Sequence, residues 1–197
     1  MDTTFKFRAL SAPEIEKIYN TYMVNDFHSN ELKPLALMLD YKDRGFYNCY
    51  GLFDNDKLLA YGLLFFNNEY ALLDYYAVLE GKRNSGIGSK FITFFKEMVN
   101  NNEIKSLIAE VENPEYAVDD NDLVNRKRRI NFYSKNNLKM TDIKVLLFGS
   151  NYNIWHYDNT ISNDIIYNEL DGIYYKMFNE KLYKENVFVT RGWLNAW

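Results

Sequence analysis

Residues 77–89 read Ala77-Val78-Leu79-Glu80-Gly81-Lys82-Arg83-Asn84-Ser85-Gly86-Ile87-Gly88-Ser89. The first three of these residues end an apolar run, Tyr70 to Leu79, that predicts a buried strand, and from Ile87 to Val99 apolar residues recur at helical spacing. Glycines at a helix start let backbone N–H groups converge on an anion without interference from a Cβ atom. The helix dipole adds to the attraction, and Arg83 supplies a full positive charge. The stretch therefore predicts a phosphate-binding loop between a strand and a helix.

Two common phosphate-binding loops do not match this stretch. A dinucleotide-binding loop has three glycines in the order G-x-G-x-x-G, which the stretch lacks. A Walker loop continues from its last glycine with Lys and then Ser or Thr, whereas Gly88 is followed by Ser89 and Lys90. The pattern that fits is Arg-x-x-Gly-x-Gly, formed by Arg83, Gly86 and Gly88 after an Ala-Val strand end.

The segments on either side predict an ordered series of elements around this loop. Ser11 and Glu14 form a capping box with Pro13 in the first turn, which predicts a helix through about Met23. Period-2 and apolar runs predict strands, and helical spacing predicts helices. The predicted strands are 5–10, 47–53, 58–66, 70–79, 104–111, 145–148 and 152–157, and the further predicted helices are 35–41, 87–99 and 122–135.

The motif and the order of elements together resemble the GNAT superfamily of N-acetyltransferases, over roughly residues 5–157. Phe132-Tyr133 followed by Asn137-Leu138 is similar to the family's Phe/Leu-Tyr pair with a Gly-Phe-like turn beyond it. Glu80 departs from the pattern, because many members have proline there, and Asn137 replaces the usual glycine but tolerates positive φ. The resemblance implies an α/β (α+β) fold with a mixed, mostly antiparallel central sheet flanked by helices.

The resemblance also implies acetyl-CoA as acetyl donor, with no metal. Backbone groups of Ala77 and Val78 are expected to bind the acetyl carbonyl and the pantetheine arm. Tyr133 is expected to protonate the departing thiolate, although a core aromatic is the alternative reading of this residue. The pyrophosphate is expected to lie against Arg83, Asn84, Ser85, Gly86, Ile87, Gly88 and Ser89.

Three carboxylates are candidates for the base that deprotonates the amine or for amine binding. Glu110 comes first, because Ala109-Glu110-Val111 resembles the Leu-Glu-Val of members that acetylate amino termini. Asp74 and Glu112 are assigned to substrate binding. Asp74 lies in an apolar strand, where an unpaired carboxylate would be costly, so it needs a partner or a purpose. A hydrogen-bonded structural role is the alternative for each.

Composition narrows the classes of protein and of partner. The net charge of −4 and a single dense basic run at residues 126–129 argue against a nucleic-acid partner. One cysteine and two histidines exclude an internal disulfide framework and are too few for a structural zinc site. The N-terminus lacks a secretory signal, and the apolar segments are too short to cross a bilayer. These features predict a bacterial cytoplasmic protein without a membrane partner.

The tail predicts a helical extension, because Ile166, Leu170, Ile173 and Met177 form an apolar stripe. We therefore divide the chain into an acetyltransferase domain at 1–160 and an extension at 161–197 that packs on the same domain or on a dimer partner.

The predicted reaction is direct attack of a primary amine, of a small molecule or a peptide, on the thioester. Acidic residues between 110 and 122 predict a preference for cationic amines, or else simply favour the start of the next helix. Two other functions stay open, a non-catalytic acetyl-CoA-binding or sensing module and an interaction protein that uses the stripe with Trp193 and Trp197.

Overall fold

The computed structural model describes residues 5–29, 31–158 and 160–192. Trp193 and Trp197 lie outside the described residues. The strands are β1 (Phe5–Ala9), β2 (Tyr47–Asp54), β3 (Lys57–Asn67), β4 (Tyr70–Val78), β5 (Ser106–Glu112), β6 (Lys139–Leu147), β7 (Ser150–Tyr157) and β8 (Val187–Arg191). The α-helices are α1 (Ala12–Ile18), α2 (Val24–Asp26), α3 (Leu35–Asp43), α4 (Ile87–Asn100), α5 (Asp120–Lys135), α6 (Asn163–Met177) and α7 (Glu180–Asn186).

The described strands form one sheet in the order β1-β2-β3-β4-β5-β7-β6-β8. The pairs β1–β2, β2–β3, β5–β7, β6–β7 and β6–β8 are antiparallel. This confirms the predicted mixed, mostly antiparallel fold. No helix within the described ranges is long and apolar enough to span a bilayer.

Two compact units make up the described chain. The first unit runs up to Phe65 and resumes at Leu73–Phe94, and the second comprises Phe66–Leu72 and the residues from Phe95 onward. The first unit holds the predicted phosphate loop, and the second holds Tyr133, Glu110 and Glu112. The predicted boundary at residue 160 stays a prediction.

The first helix of the first unit begins as the sequence predicts and ends later. The Ser11 N–H donates to the Glu14 carboxylate at 2.9 Å, and the Arg8 guanidinium binds the same carboxylate at 2.6 Å. The hydrogen bond from Arg8 contributes most to lowering the pKa of Glu14 to about 2. Helical structure continues past the expected end at Met23, through a π-helical turn at Tyr19–Met23 into α2. This extension carries Asp26.

Aromatic side chains form much of the first unit's core. The ring of Phe7 stacks on Tyr50 at 5.2 Å and on Phe94 at 4.6 Å between centroids. Phe94 belongs to α4, the helix that follows the predicted loop, and Phe7 belongs to β1. These ring contacts therefore hold α4 against β1 within the first unit. The largest fully buried side chains of this unit include Tyr47, Tyr61, Phe65 and Phe91.

The tail folds back onto the second unit as helix and then as strand. All four residues of the predicted stripe are buried in α6, which confirms the helix. After α7, β8 pairs with β6, from Ile143 opposite Arg191 to Leu147 opposite Val187. This eighth strand is an element that the sequence reading missed.

Gly172 sits in the interior of α6 because a side chain would not fit there. A Cβ atom on it would lie 2.6 Å from Nδ2 of Asn67, and that Nδ2 donates to the Glu169 carboxylate at 2.7 Å. This glycine, which lowers helix propensity, therefore accompanies a close contact within the second unit.

Candidate functional site

The predicted phosphate loop occupies residues 79–86, between the end of β4 and the start of α4. The Leu79 N–H donates to the Leu59 carbonyl at 2.9 Å, which holds the strand end beside β3. Beyond that point the side chains from Glu80 to Gly86 are exposed, whereas Ile87 is buried and anchors the helix start. The loop therefore joins two fixed ends and presents its own backbone to solvent.

The loop backbone adopts the left-handed conformation three times, the first time at Gly81 with φ 75°. Asn84 has φ 62° and Gly86 has φ 80°, a region that favours asparagine and glycine. A Cβ atom on Gly86 would have no atom within 4 Å, so the space beside it is open. The first N–H groups of a helix have no carbonyl to bond within the helix, and α4 begins directly after Gly86. An open backbone at the positive end of a 14-residue helix suits an anion such as a pyrophosphate.

Arg83 is held by the first unit itself. Its Nε donates to the Val78 carbonyl at 3.2 Å, and its Nη2 donates to Asp26 Oδ1 at 3.1 Å. The other oxygen of Asp26 accepts from the Tyr61 hydroxyl at 2.7 Å. The Arg83 side chain is still 56% exposed, so its charge faces solvent beside the loop. The sequence reading named Arg83 but missed Asp26 and Tyr61, which orient it.

Asp74 has the partners that its place in an apolar strand requires. The Lys33 ammonium lies 2.7 Å from Asp74 Oδ1, and the Tyr47 hydroxyl donates to Oδ2. The Asp74 side chain is 6% exposed and that of Lys33 is 16% exposed. Lys33 comes from the segment between α2 and α3, and no local sequence pattern pointed to it.

In the second unit, the buried side chain of Tyr133, a residue of α5, lies near three charged residues. It is 8% exposed, and burial raises the pKa of its hydroxyl well above the ordinary value. The charge of Arg129 opposes that rise, while Glu112 and Glu110 add to it. Tyr133 is therefore protonated at neutral pH and lies in the electrostatic neighbourhood of both predicted carboxylates.

Both carboxylates already have protein partners. Glu110 accepts a hydrogen bond from the hydroxyl of Tyr174, a buried residue of α6. Glu112 forms an ion pair with Arg129 at 2.8 Å. The sequence reading missed Tyr174 and Arg129. Tyr174 follows Leu170 by one helical turn, so the stripe in the tail was the signal that could have revealed it.

The acidic stretch that leads into α5 is partly neutralised. Asp119 caps the helix by accepting from the Asp122 N–H at 2.8 Å. Asp122 forms an ion pair with Arg126 at 2.9 Å, and Arg126 also donates to the Asn113 carbonyl at 2.8 Å. This geometry supports the structural reading of these acids. At the other end of the helix Asn137 has φ 65°, a left-handed conformation that asparagine tolerates.

Comparison with protein families identifies the class. The model of the acetyltransferase (GNAT) family matches residues 13–119, which is more than half of the chain. The chain therefore belongs to the GNAT family of acetyltransferases, as its resemblance predicted. The match includes the loop, Asp74, Glu110 and Glu112, and it ends before Tyr133. A metal centre is a separate question, and within residues 5–29, 31–158 and 160–192 no three His, Cys, Asp or Glu side chains are grouped to hold an ion.

Solved structures show the same fold at low sequence identity. A protein of the GNAT acetyltransferases from Bacteroides thetaiotaomicron has a TM-score of 0.64 at 22% identity, covering 82% of this chain and 92% of its own. The ribosomal-protein alanine N-acetyltransferase of Escherichia coli has 0.59 at 14%, with 81% and 98% covered. The dodecameric spermidine N-acetyltransferase of Vibrio cholerae has 0.58 at 10%, with 79% and 94% covered. A search of curated proteins gave no match.

Proposed function

We propose that this protein transfers the acetyl group of acetyl-CoA to a primary amine of a small molecule or a peptide. The observation that carries the proposal is the loop at 79–86, with the open space beside Gly86 at the start of α4. Family membership adds the donor, because the GNAT family consists of acetyltransferases.

The residues of the loop suit the donor's pyrophosphate. Backbone N–H groups at the start of α4 and the charge of Arg83 would bind it, and Ala77 and Val78 would bind the pantetheine arm by their backbone. Asn84, Ser85, Ile87, Gly88 and Ser89 complete the proposed donor site. The ion pair with Asp26 would keep the Arg83 guanidinium in place before the donor arrives, which limits the entropy lost on binding.

The proposed reaction needs two proton transfers. The neutral amine nitrogen attacks the thioester carbonyl carbon, the C–S bond breaks, and the thiolate leaves with the electron pair. We assign Tyr133 to protonate that thiolate, since its raised pKa keeps the hydroxyl protonated at neutral pH. We assign Glu110 to accept the proton that the amine loses, and Asp74 and Glu112 to bind the amine. Proximity of amine and thioester supplies much of the rate.

A second candidate function is a non-catalytic acetyl-CoA-binding or sensing module. The observation that favours it is that the residues proposed for the chemistry are buried or already bound to other side chains. Tyr133 is buried, Glu110 accepts a hydrogen bond from Tyr174, and Glu112 forms an ion pair with Arg129. Such a module would bind acetyl-CoA but release no CoA in the presence of amines.

Release of free thiol decides between the two candidates. The protein is incubated with acetyl-CoA and a library of primary amines that includes polyamines, amino acids and peptides, and the acetylated product is identified by mass. The enzyme releases thiol only with an acceptor amine. Binding of acetyl-CoA without thiol release for any amine would favour the module. The solved neighbours named for spermidine and for a ribosomal-protein alanine make polyamines and peptide amino termini the first acceptors to try.

Gly86→Val tests the donor site. A β-branched side chain in the open space beside the loop should weaken CoA binding by about tenfold or more, measured by calorimetry. Gly45→Val is the matched control, because Gly45 also has a left-handed φ, 76°, with no atom within 4 Å of a Cβ, and ends α3 outside the loop. Both variants carry similar backbone strain, so only a site at the loop separates them. Equal CoA affinity in the two variants would place the donor elsewhere.

A bacterial cytoplasmic location stays a prediction of the sequence, and a homodimer stays one of the two alternatives for the packing of the tail.

A further inference from the structure

The first unit holds a largely shielded ammonium group, that of Lys33, whose side chain is 16% exposed. Lys33 Nζ lies 2.7 Å from Asp74 Oδ1 and 5.0 Å from the centre of the Tyr75 ring. The second oxygen of Asp74 accepts from the Tyr47 hydroxyl. A carboxylate, a phenol that orients it and an aromatic face are the groups that recognise a protonated primary amine.

The ammonium comes from an irregular segment. Lys33 lies between α2 and α3, outside any regular element. The Tyr75 hydroxyl holds this segment by donating to the Glu31 carbonyl at 2.6 Å and accepting from the Lys33 N–H at 2.9 Å. The carboxylate and both tyrosines, in contrast, belong to strands β2 and β4. The groups that bind the ammonium are therefore fixed in the sheet. The ammonium itself belongs to a segment that can move away by local unfolding.

A purely structural ion pair is a costly solution at this place. Taking two charges out of water consumes most of their mutual attraction, and apolar residues of similar size are often as stable. The neighbouring residues of β4, Ala71 to Leu73, are apolar and buried. A retained charge pair in such surroundings points to a use for the carboxylate.

We propose that Asp74, Tyr47 and Tyr75 form a binding site for a primary ammonium, and that Lys33 occupies it in the free protein. The acceptor amine takes the place of the Lys33 ammonium when the segment at residues 31–34 opens. The role of the bound amine as acceptor rests on the proposed acetyl transfer, but ammonium binding at Asp74 does not.

Chemical rescue tests the ammonium site without any acetyl transfer. Lys33→Ala should lower Tm, because it leaves the Asp74 carboxylate buried and unpaired, and n-butylammonium chloride well above its Kd should restore about half of the loss or more. Lys33→Met, which keeps the apolar stem, serves if the alanine variant does not fold. Lys184→Ala is the matched control, since Lys184 pairs with Glu180 at 2.6 Å on an exposed surface.

Three results would overturn the site. They are no rescue of either Lys33 variant, equal rescue by 1-butanol, and rescue that persists when Asp74→Asn is added. The expected pattern is saturable rescue by the ammonium salt alone, present in the Lys33 variants, and absent both from the Lys184 variant and from the double variant.

Acetylation kinetics then test the replacement of Lys33. In Lys33→Met, the KM for a small primary amine should fall by about tenfold, and kcat should change little. The variant lacks the Lys33 ammonium, which otherwise competes with the amine for the site at a high effective concentration. An unchanged or higher KM would overturn the replacement. If no variant acetylates any amine but rescue is observed, the proposed function fails and the ammonium site stands. If acetylation is observed without rescue, the reverse holds.

Discussion

At the scale of single residues, the hydroxyl of Tyr133 is the group on which the proposed chemistry depends most. Tyr133→Phe keeps the ring in the core and removes only the proton donor, so the fold and acetyl-CoA binding should be retained. We expect kcat to fall by about 10²-fold or more, the usual contribution of a general acid. Steady-state kinetics measure the fall, and calorimetry checks that the affinity for acetyl-CoA is unchanged.

Tyr167→Phe is the control for this substitution. Its hydroxyl donates to the Val189 carbonyl at 3.1 Å, so the variant loses one tyrosine hydroxyl of the same unit without touching the proposed acid. Full activity of Tyr133→Phe, or equal losses in both variants, would assign Tyr133 to packing alone.

The sequence predicted the type of these residues better than their partners. The glycines of the loop and the left-handed Asn137 follow from local backbone rules, which a sequence states directly. The contacts of Arg83 with Asp26 and of Asp74 with Lys33 join residues far apart in the chain. No local sequence pattern indicates the partners of Asp26 and Lys33, because only the folded chain decides which strand these residues contact.

At the scale of elements, Gly172 of α6 is a position where helix propensity favours alanine and the contact with Asn67 opposes it. Gly172→Ala should stabilise the helix by up to about 1 kcal/mol. Its Cβ would displace the Asn67 amide from Glu169, and a hydrogen bond to a charged group is worth about 1.5–3 kcal/mol. We therefore expect Gly172→Ala to lower the free energy of unfolding by about 1 kcal/mol, measured by urea denaturation.

A double-mutant cycle isolates the contact. In an Asn67→Ala background the obstacle is gone, so Gly172→Ala should become stabilising by up to about 1 kcal/mol, its propensity alone. The same sign in both backgrounds would show that Asn67 does not constrain the helix.

The elements that the sequence predicted are those with a long or local signal. The helices α4 and α5 extend over many residues, the strands β2 and β3 are close neighbours in the chain, and the structure confirms all four. Strand β8 has five residues, Val187 to Arg191, and its partner β6 lies beyond two helices. A strand this short has too little local sequence pattern to be distinguished from a helix, and its hydrogen-bond partners lie far back in the chain.

At the scale of the whole molecule, a net charge of −4 favours cationic acceptors. Because Arg129 and Arg126 offset Glu112 and Asp122, we assign the expected attraction to acids such as Glu115 and Asp120. We expect a polyamine to be a better acceptor than a neutral amine, with kcat/KM falling several-fold as salt approaches about 0.15 M, where the Debye length is about 8 Å.

Charge-removing variants locate the source of this attraction. Glu115→Gln with Asp120→Asn should reduce both kcat/KM for the polyamine and its dependence on salt, whereas Glu185→Gln, an exposed acid of α7, should leave both unchanged. A neutral or anionic acceptor that exceeds every polycation, with no effect of salt, would contradict the expectation.

The place of β8 in the sheet has a consequence for synthesis. One edge of β6, at residues 143–147, has no strand partner until residues 187–191 of β8 are synthesised. A ribosome that adds about 5–20 residues per second needs seconds to make the intervening segment. Until β8 has left the ribosome and paired, the outer edge of β6 is open, a template for pairing with other chains. We therefore expect a product truncated between the two strands to be prone to aggregation, although the loop at residues 79–86 and the family's matched region are complete.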